Sequence, residues 1–196
     1  MTPFFSSPES LARLDAEARS WLNTPFAARQ AAKGAGVDCV HLLAEIYKVC
    51  GLFPSPAGAG EDGRRLGEGG GIAIPCYTLD GGRHTDVSQV IKWLTISPHF
   101  WPVPVLVPLA GDTLCFRQKR AAHHVGLLIP SPAGAGEGNI QFIHAAERYG
   151  VTINDLADPM WRRALVAVFR PVCPSPAGAG EGGRRPDEGS QGETNS

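Results

Sequence analysis

The chain has 196 residues, 43% of them apolar and 19% charged, with a formal net charge of −1. That balance fits a chain with enough core to fold alone, one domain being the default, and it offers no basic footprint for nucleic acid or an anionic membrane surface. Prolines break the best apolar run, at 101–110, well short of the roughly 18 residues of a membrane span, so neither a nucleic-acid partner nor a membrane span is expected.

Read from the start, MTPFFSSPESLARLDAEARSWL has neither a basic leader nor a continuous apolar core. Cytoplasmic synthesis without a secretory signal is therefore expected. Leu11, Leu14, Ala18, Trp21 and Leu22 recur at helical spacing and predict an amphipathic helix over 10–22, with Ser7 or Ser10 as its cap and Pro25 beyond its end. A glycine-rich approach at 34–37 and Asp38, a good capping residue, lead into a second helix predicted over 39–50, with Val40, Leu43, Ile46 and Tyr47 on one face. A shorter helix is predicted over 86–94. The period then changes: runs rich in Val, Ile, Leu and Phe at 113–117, 124–129, 140–144 and 165–170, separated by turn residues, predict strands of an antiparallel sheet. Helices first and strands afterwards is the α+β pattern.

An internal repeat interrupts this order. PSPAGAGE stands at 54–61, 130–137 and 174–181, and the stretch 54–69 agrees with 174–189 at 13 of 16 positions. Built of Gly, Ala, Pro, Ser and charge, the unit has no apolar face to stack on a neighbour and no burial to offset its ordering entropy. All copies therefore read as exposed, mobile in-frame insertions. The expected organisation is a single domain over 1–173 with inserts at 54–71 and 130–137, followed by a disordered tail over 174–196. Without those segments 147 residues remain, an ordinary single-domain length.

The chemistry begins at Asp38-Cys39. Five cysteines, Cys39, Cys50, Cys76, Cys115 and Cys173, are an odd number without metal-ligand spacing, which argues against a disulfide framework and leaves at least one free thiol. A cysteine opening a helix meets unpaired N–H groups and the positive end of the helix dipole, both of which favour the nucleophilic thiolate. Such a thiol needs an imidazole, and the imidazole needs a third group to orient it. In a hairpin pairing Ile129 with Asn139, His124 falls opposite His144 on the same face. His123, alternating to the other face, is expected to point to solvent. A zinc site of Cys39, His124 and His144 is disfavoured because no two ligands sit close together on one element. Asp38 reads as a helix cap or loop brace, and Asp112 as the turn residue before a strand.

These residues carry a resemblance. AKGAGVDCVHLLAEIYKVCG, AGDTLCFR, HHVGLLI and FIHAAERYGV, in that order, are similar to the NlpC/P60 family of papain-like cysteine peptidases. The resemblance implies a papain-like α+β fold, with the nucleophile at the N-terminus of a helix packed on an antiparallel sheet. It implies Cys39 as nucleophile, His124 as base and His144 as the orienting residue, with no cofactor. It also implies a substrate, an amide in the peptide stem of bacterial peptidoglycan. WLNTPF and WRRALVAVFRP further resemble tail-associated members in phages, prophages and gene transfer agents, which implies phage-like tail proteins as partners and assembly into a phage-like particle. Phe26 stands where those proteins commonly have tyrosine. A structural tail-tip component with weak or no activity, and acyl transfer by the same thiol, stay open as alternatives.

Overall fold

The structure, a computed structural model, describes residues 2–53, 88–118, 121–131 and 140–173. The repeat segments at 54–71 and 174–196 lie outside the described residues, as does the one at 130–137 except for Pro130 and Ser131. Helix α1 spans Pro8–Arg19. The Ser7 hydroxyl accepts the Ser10 N–H and the Ser10 hydroxyl accepts the Ser7 N–H, each at 3.1 Å. Pro8 occupies the first turn, where its missing donor costs nothing. This reciprocal cap starts the helix earlier than the apolar spacing predicts. The helix also ends earlier, and Asn23, at φ 65°, turns the chain away.

The following residues are tied to Val151: Asn23 N–H donates to its carbonyl at 3.1 Å, and Val151 N–H donates to Thr24 O at 2.9 Å. The neighbouring Gly150 has φ +68°, and a Cβ there would run into the Thr24 carbonyl, so glycine permits this close approach. A small hairpin of β1 (Ala31–Ala32) and β2 (Gly36–Val37) then delivers the chain to α2 (Cys39–Cys50), the bounds the sequence predicts. Asp38 caps α2 and Gly51, left-handed at φ 87°, closes it. Helix α3 (Gln89–Ile96) is capped by Ser88, whose hydroxyl accepts the Ile91 N–H and donates to the Ala122 carbonyl. The predicted start of this helix at Asp86 lies outside the described residues.

Six strands form one antiparallel sheet: β3 (Phe100–Val103), β4 (Thr113–Gln118), β5 (Ala121–Leu128), β6 (Gln141–Ala146), β7 (Gly150–Asp155) and β8 (Leu165–Pro171), in the order β3-β8-β4-β5-β6-β7. Four of these fall where strands are predicted. The other two, and the short helix α4 (Pro159–Ala164) between β7 and β8, were not anticipated, so the helices do not all precede the strands. β3 carries Pro102 and is tolerated because it is an edge strand paired with β8 alone. β7, VTIND after its glycine, is short and ends in turn-forming residues.

Side-chain alternation divides the sheet into two buried faces. Cys115, Val125, Leu127, Ile143, Ala145 and Val151 belong to the cluster that holds α1, α2 and α3, including Leu14, Ile46 and Leu94. Leu114, Phe116, Leu128, Phe142 and Val168 belong to a second cluster with Leu156, against which Trp161 of α4 packs. Side chains this deeply buried contribute about 1.5–3 kcal/mol each. Among the described residues, no helix is long and apolar enough to cross a membrane.

Candidate functional site

The N-terminus of α2 is built around a fully buried carboxylate. Asp38 Oδ1 accepts the Val40 and His41 N–H groups at 3.1 and 3.0 Å, its Oδ2 accepts the Arg29 N–H at 2.6 Å, and both oxygens lie within 3.0 Å of His41 Nδ1. Asp38 thus both caps the helix and braces the preceding loop, as the sequence implies. Cys39, 4% exposed, occupies the first helical position.

The Cys39 thiol meets strand β5. Its Sγ lies 4.0 Å from the His123 carbonyl oxygen, and the Val125 N–H is aimed at the sulfur. The sheet explains why these groups are available. Ile129 N–H donates to Gln141 O at 3.0 Å, so odd-numbered residues of β5 direct their polar backbone groups towards β6. Yet β5 and β6 pair only at Leu127–Ile143 and Leu128–Phe142. Beyond that point the ladder stops, and the sulfur occupies the side of β5 that β6 has left.

Burial pushes the Cys39 thiol up to about 12, and the Asp38 charge adds to the rise; N–H groups of Val125, Cys39 and Val40 oppose it without cancelling it. The expected helix-stabilised thiolate is therefore corrected: the resting group is a neutral thiol. Desolvation, the largest of these effects, outweighs the N–H groups of the helix terminus.

His124 and His144 are brought together on the second face. The observed register pairs Leu127 with Ile143, two residues away from the predicted one, so the two histidines sit diagonally and not directly opposite. A shift of two keeps both on the same face. Their rings meet edge to face at 4.9 Å, with His124 Nε2 2.8 Å from His144 Nδ1. His144 Nε2 in turn lies 2.7 Å from Asn154 Oδ1 on β7. Burial pulls His124 down to about 3, assisted by the neighbouring His144, and burial also lowers His144 against the opposing Asn154 hydrogen bond. Both imidazoles are neutral at neutral pH.

Aromatic rings enclose this pair. Trp161 stacks on His124 at 5.9 Å and meets His144 edge-on at 4.9 Å, while Phe142 lies 5.2 Å from His144 and Phe116 6.1 Å from His124. Asn154 and Trp161 were not found from sequence, since they lie on β7 and α4; their only signal is position, Asn154 pairing with Phe142 two residues before His144. His123 is a further correction. It is half-buried, its Nε2 has no partner among the described residues, and β4–β5 pairing passes over it, from Phe116–His124 to Arg117–Ala122. The bulge removes the simple alternation that would have turned it to solvent.

Asp112 is more than a turn residue: it is 1% exposed, accepts the Leu109 N–H at 2.8 Å and holds Arg170 through two contacts of 2.9 and 2.8 Å. Cys50 and Cys115 are buried, Cys173 is exposed, and Cys76 lies outside the described residues. Among the described residues, no group of His, Cys, Asp and Glu is arranged to hold a metal ion.

Residues 99–170 match the NlpC/P60 family model. That stretch contains His124, His144, Asn154 and Trp161 and excludes Cys39. Comparison with curated protein sequences finds no match. Among solved structures, a protein similar to lipoprotein, of the NLP/P60 family, from Staphylococcus aureus subsp. aureus Mu50 superposes with TM-score 0.53 at 16% identity, over 88% of this chain and 45% of that one. An NlpC/P60 family protein from Bacillus cereus ATCC 10987 gives 0.48 at 20% identity, over 84% and 40%. The NlpC/p60 domain of peptidoglycan hydrolase SagA gives 0.44 at 18% identity, over 83% and 97%. The chain thus spans less than half of the staphylococcal protein, and the likeness to it is one of fold: helices on an antiparallel sheet, the papain-like α+β arrangement.

Proposed function

We propose that this chain is a cysteine hydrolase that cleaves an amide bond in the peptide stem of bacterial peptidoglycan, with Cys39 as nucleophile, His124 as base and His144 as its orienting partner. The observation that carries the reading is the seating of the Cys39 sulfur against the backbone on both sides of His124, whose ring is held by His144. The NlpC/P60 match over 99–170 supports the substrate class.

The neutral resting pair dictates the order of events. His124 takes the thiol proton as the sulfur attacks the stem-peptide carbonyl, so the thiolate forms during attack and does not wait as an ion pair. The tetrahedral oxyanion is held by the Cys39 N–H at the helix terminus. The protonated imidazole then passes its proton to the leaving amine, a thioester remains on Cys39, and water activated by His124 releases the acid. A nucleophile other than water would give acyl transfer instead. The proposed setting is a phage-like tail, resting on the WLNTPF and WRRALVAVFRP blocks.

One observation favours a second reading, a structural tail-tip component with weak or no activity: Cys39 and His124 are only 4% and 6% exposed. Digestion of purified peptidoglycan by the wild-type chain and by Cys39→Ala, with mass analysis of the fragments, decides between them. Stem-peptide cleavage by the wild type alone supports the hydrolase. No release by either chain, or the same release by both, rejects Cys39 as the nucleophile and leaves the structural reading.

A further inference from the structure

We infer that Asn154 is a positioning residue, whose side-chain oxygen fixes the tautomer of His144 and, through it, leaves His124 Nδ1 as the free proton acceptor of the site. The inference rests on the reading of His124 as base and adds to it the group that sets its proton inventory.

Donors and acceptors along the pair fix where each proton sits. A neutral imidazole has one N–H and one bare nitrogen. His144 is 1% exposed and uses both nitrogens, Nδ1 towards His124 Nε2 at 2.8 Å and Nε2 towards Asn154 Oδ1 at 2.7 Å. An amide oxygen only accepts, so the His144 proton must sit on Nε2. Its Nδ1 is then bare and requires a donor, which places the His124 proton on Nε2. His124 Nδ1 is left with its lone pair. Turned over, the Asn154 amide would donate to His144 Nε2, each ring would carry its proton on Nδ1, and His124 could no longer take a proton from a thiol there. The orientation of one amide on β7 thus decides whether a base on β5 is competent, two strands away.

Fixed tautomers also account for placing these rings out of water. Trp161, Phe116 and Phe142 wall the pair, and solvent cannot supply a substitute acceptor to His144. Asn154 itself is half-buried, on the strand that closes the sheet edge.

The test uses the full chain with 15N-labelled histidine. In the wild type, ring-nitrogen NMR is expected to show both His124 and His144 protonated on Nε2. Asn154→Leu is expected to release that tautomer, lowering kcat about 10- to 100-fold with little change in KM. Asn154→Asp, also an obligate acceptor, is expected to restore the tautomer and to move the acid limb of the pH–rate profile upwards, since a carboxylate favours imidazolium. The alkylation rate of Cys39 in a Cys173→Ser background reads the thiol–imidazole pair without substrate. If His124→Ala leaves that rate unchanged, the underlying reading of the pair fails. If His124→Ala slows it while Asn154→Leu alters neither tautomer nor rate, or Asn154→Asp leaves the acid limb in place, the role of Asn154 alone is overturned.

Discussion

The two faces of the sheet are both buried, yet they are made differently. The face under α1, α2 and α3 is the larger, with Val125, Leu127, Ile143 and Ala145 on its central strands and Tyr47, Phe53 and Phe100 packed together in the same cluster. The opposite face is a smaller aromatic enclosure of Phe116, Phe142 and Trp161, into which alternate residues of the same two strands bring His124 and His144. A single run, HHVGLL, therefore serves both: its valine and first leucine pack on the side of the helix that carries the thiol, while its second histidine pairs with His144. The glycine between them is required on the aromatic side, where a Cβ at Gly126 would come within 2.7 Å of the Phe142 ring. One face carries the helix that bears Cys39 and the other holds the His124–His144 pair, and the sulfur reaches the backbone on both sides of His124 where the ladder between β5 and β6 is open.

The largest expected effect separates the histidines of the aromatic face. His124→Ala should lower peptidoglycan hydrolysis about 10²-fold or more, as loss of a general base does, whereas His144→Ala should cost less because the space vacated by the imidazole admits a water that can accept from His124 in its place. Steady-state rates on one peptidoglycan preparation check this, and equal small losses would dissolve the distinction between base and orienter.

Truncation compares the faces as packing units. Phe142→Ala should destabilise the chain by about 3–5 kcal/mol and Ile46→Ala by about 2–5 kcal/mol. Their kinetic signatures should differ, since Phe142 borders His144 while Ile46, 0% exposed, lies in the interior of the helical face. Denaturant melts and pH–rate profiles of the two variants provide the comparison; a shifted profile for Ile46→Ala would mean the faces are not separable.

Acid should weaken the aromatic face first. His124 and His144 are both held below their usual value of 6.5; the His124 contribution to stability is present above 6.5 and lost as pH falls towards its value of about 3, and that of His144 is lost in the same direction. Replacing His124 with Gln should blunt that fall in a series of melts. The thiol behaves in the opposite sense. Cys39, raised from 9.0 to about 12, contributes stability below pH 9 that is lost as pH rises towards 12.

A smaller effect concerns labelling. The sequence makes Cys39 the expected nucleophile, whereas the structure buries it and exposes Cys173. Limiting alkylation at pH 7 should therefore modify Cys173 before Cys39, with Cys39 gaining about tenfold in rate per pH unit up to pH 10. Peptide mapping reads the order, and early labelling of Cys39 would show that the site opens readily.

How much of this was legible depends on how local each signal was. The bounds of α2 followed from Asp38, which acts within one turn of the helix, and from the spacing of Val40, Leu43, Ile46 and Tyr47. The shared face of His124 and His144 survived a wrong register because strand parity is unchanged by a shift of two. The register itself was hidden by the repeat at 130–137, which separates the strands without specifying their turn. Asn154 and Trp161 were hidden because their importance comes from neighbours distant in sequence: TIND carries turn-forming residues, and the Trp161 helix has only six residues. The protonation state of Cys39 was least legible, since it depends on burial by the assembled sheet and on the charge of the Asp38 carboxylate that caps the helix.

The open ladder has one more consequence, in the timescale of local opening. A strand amide is ordinarily shielded from solvent exchange by the strand beside it, but the Val125 amide faces a sulfur from a helix. Its deuterium uptake should therefore follow the state of Cys39 and not the breathing of β6. Cys39→Ala would speed exchange at Val125 while leaving Leu127, which is paired with Ile143, nearly as slow as before. A single backbone amide would then act as a gauge of whether the thiol is seated, readable without substrate or reaction.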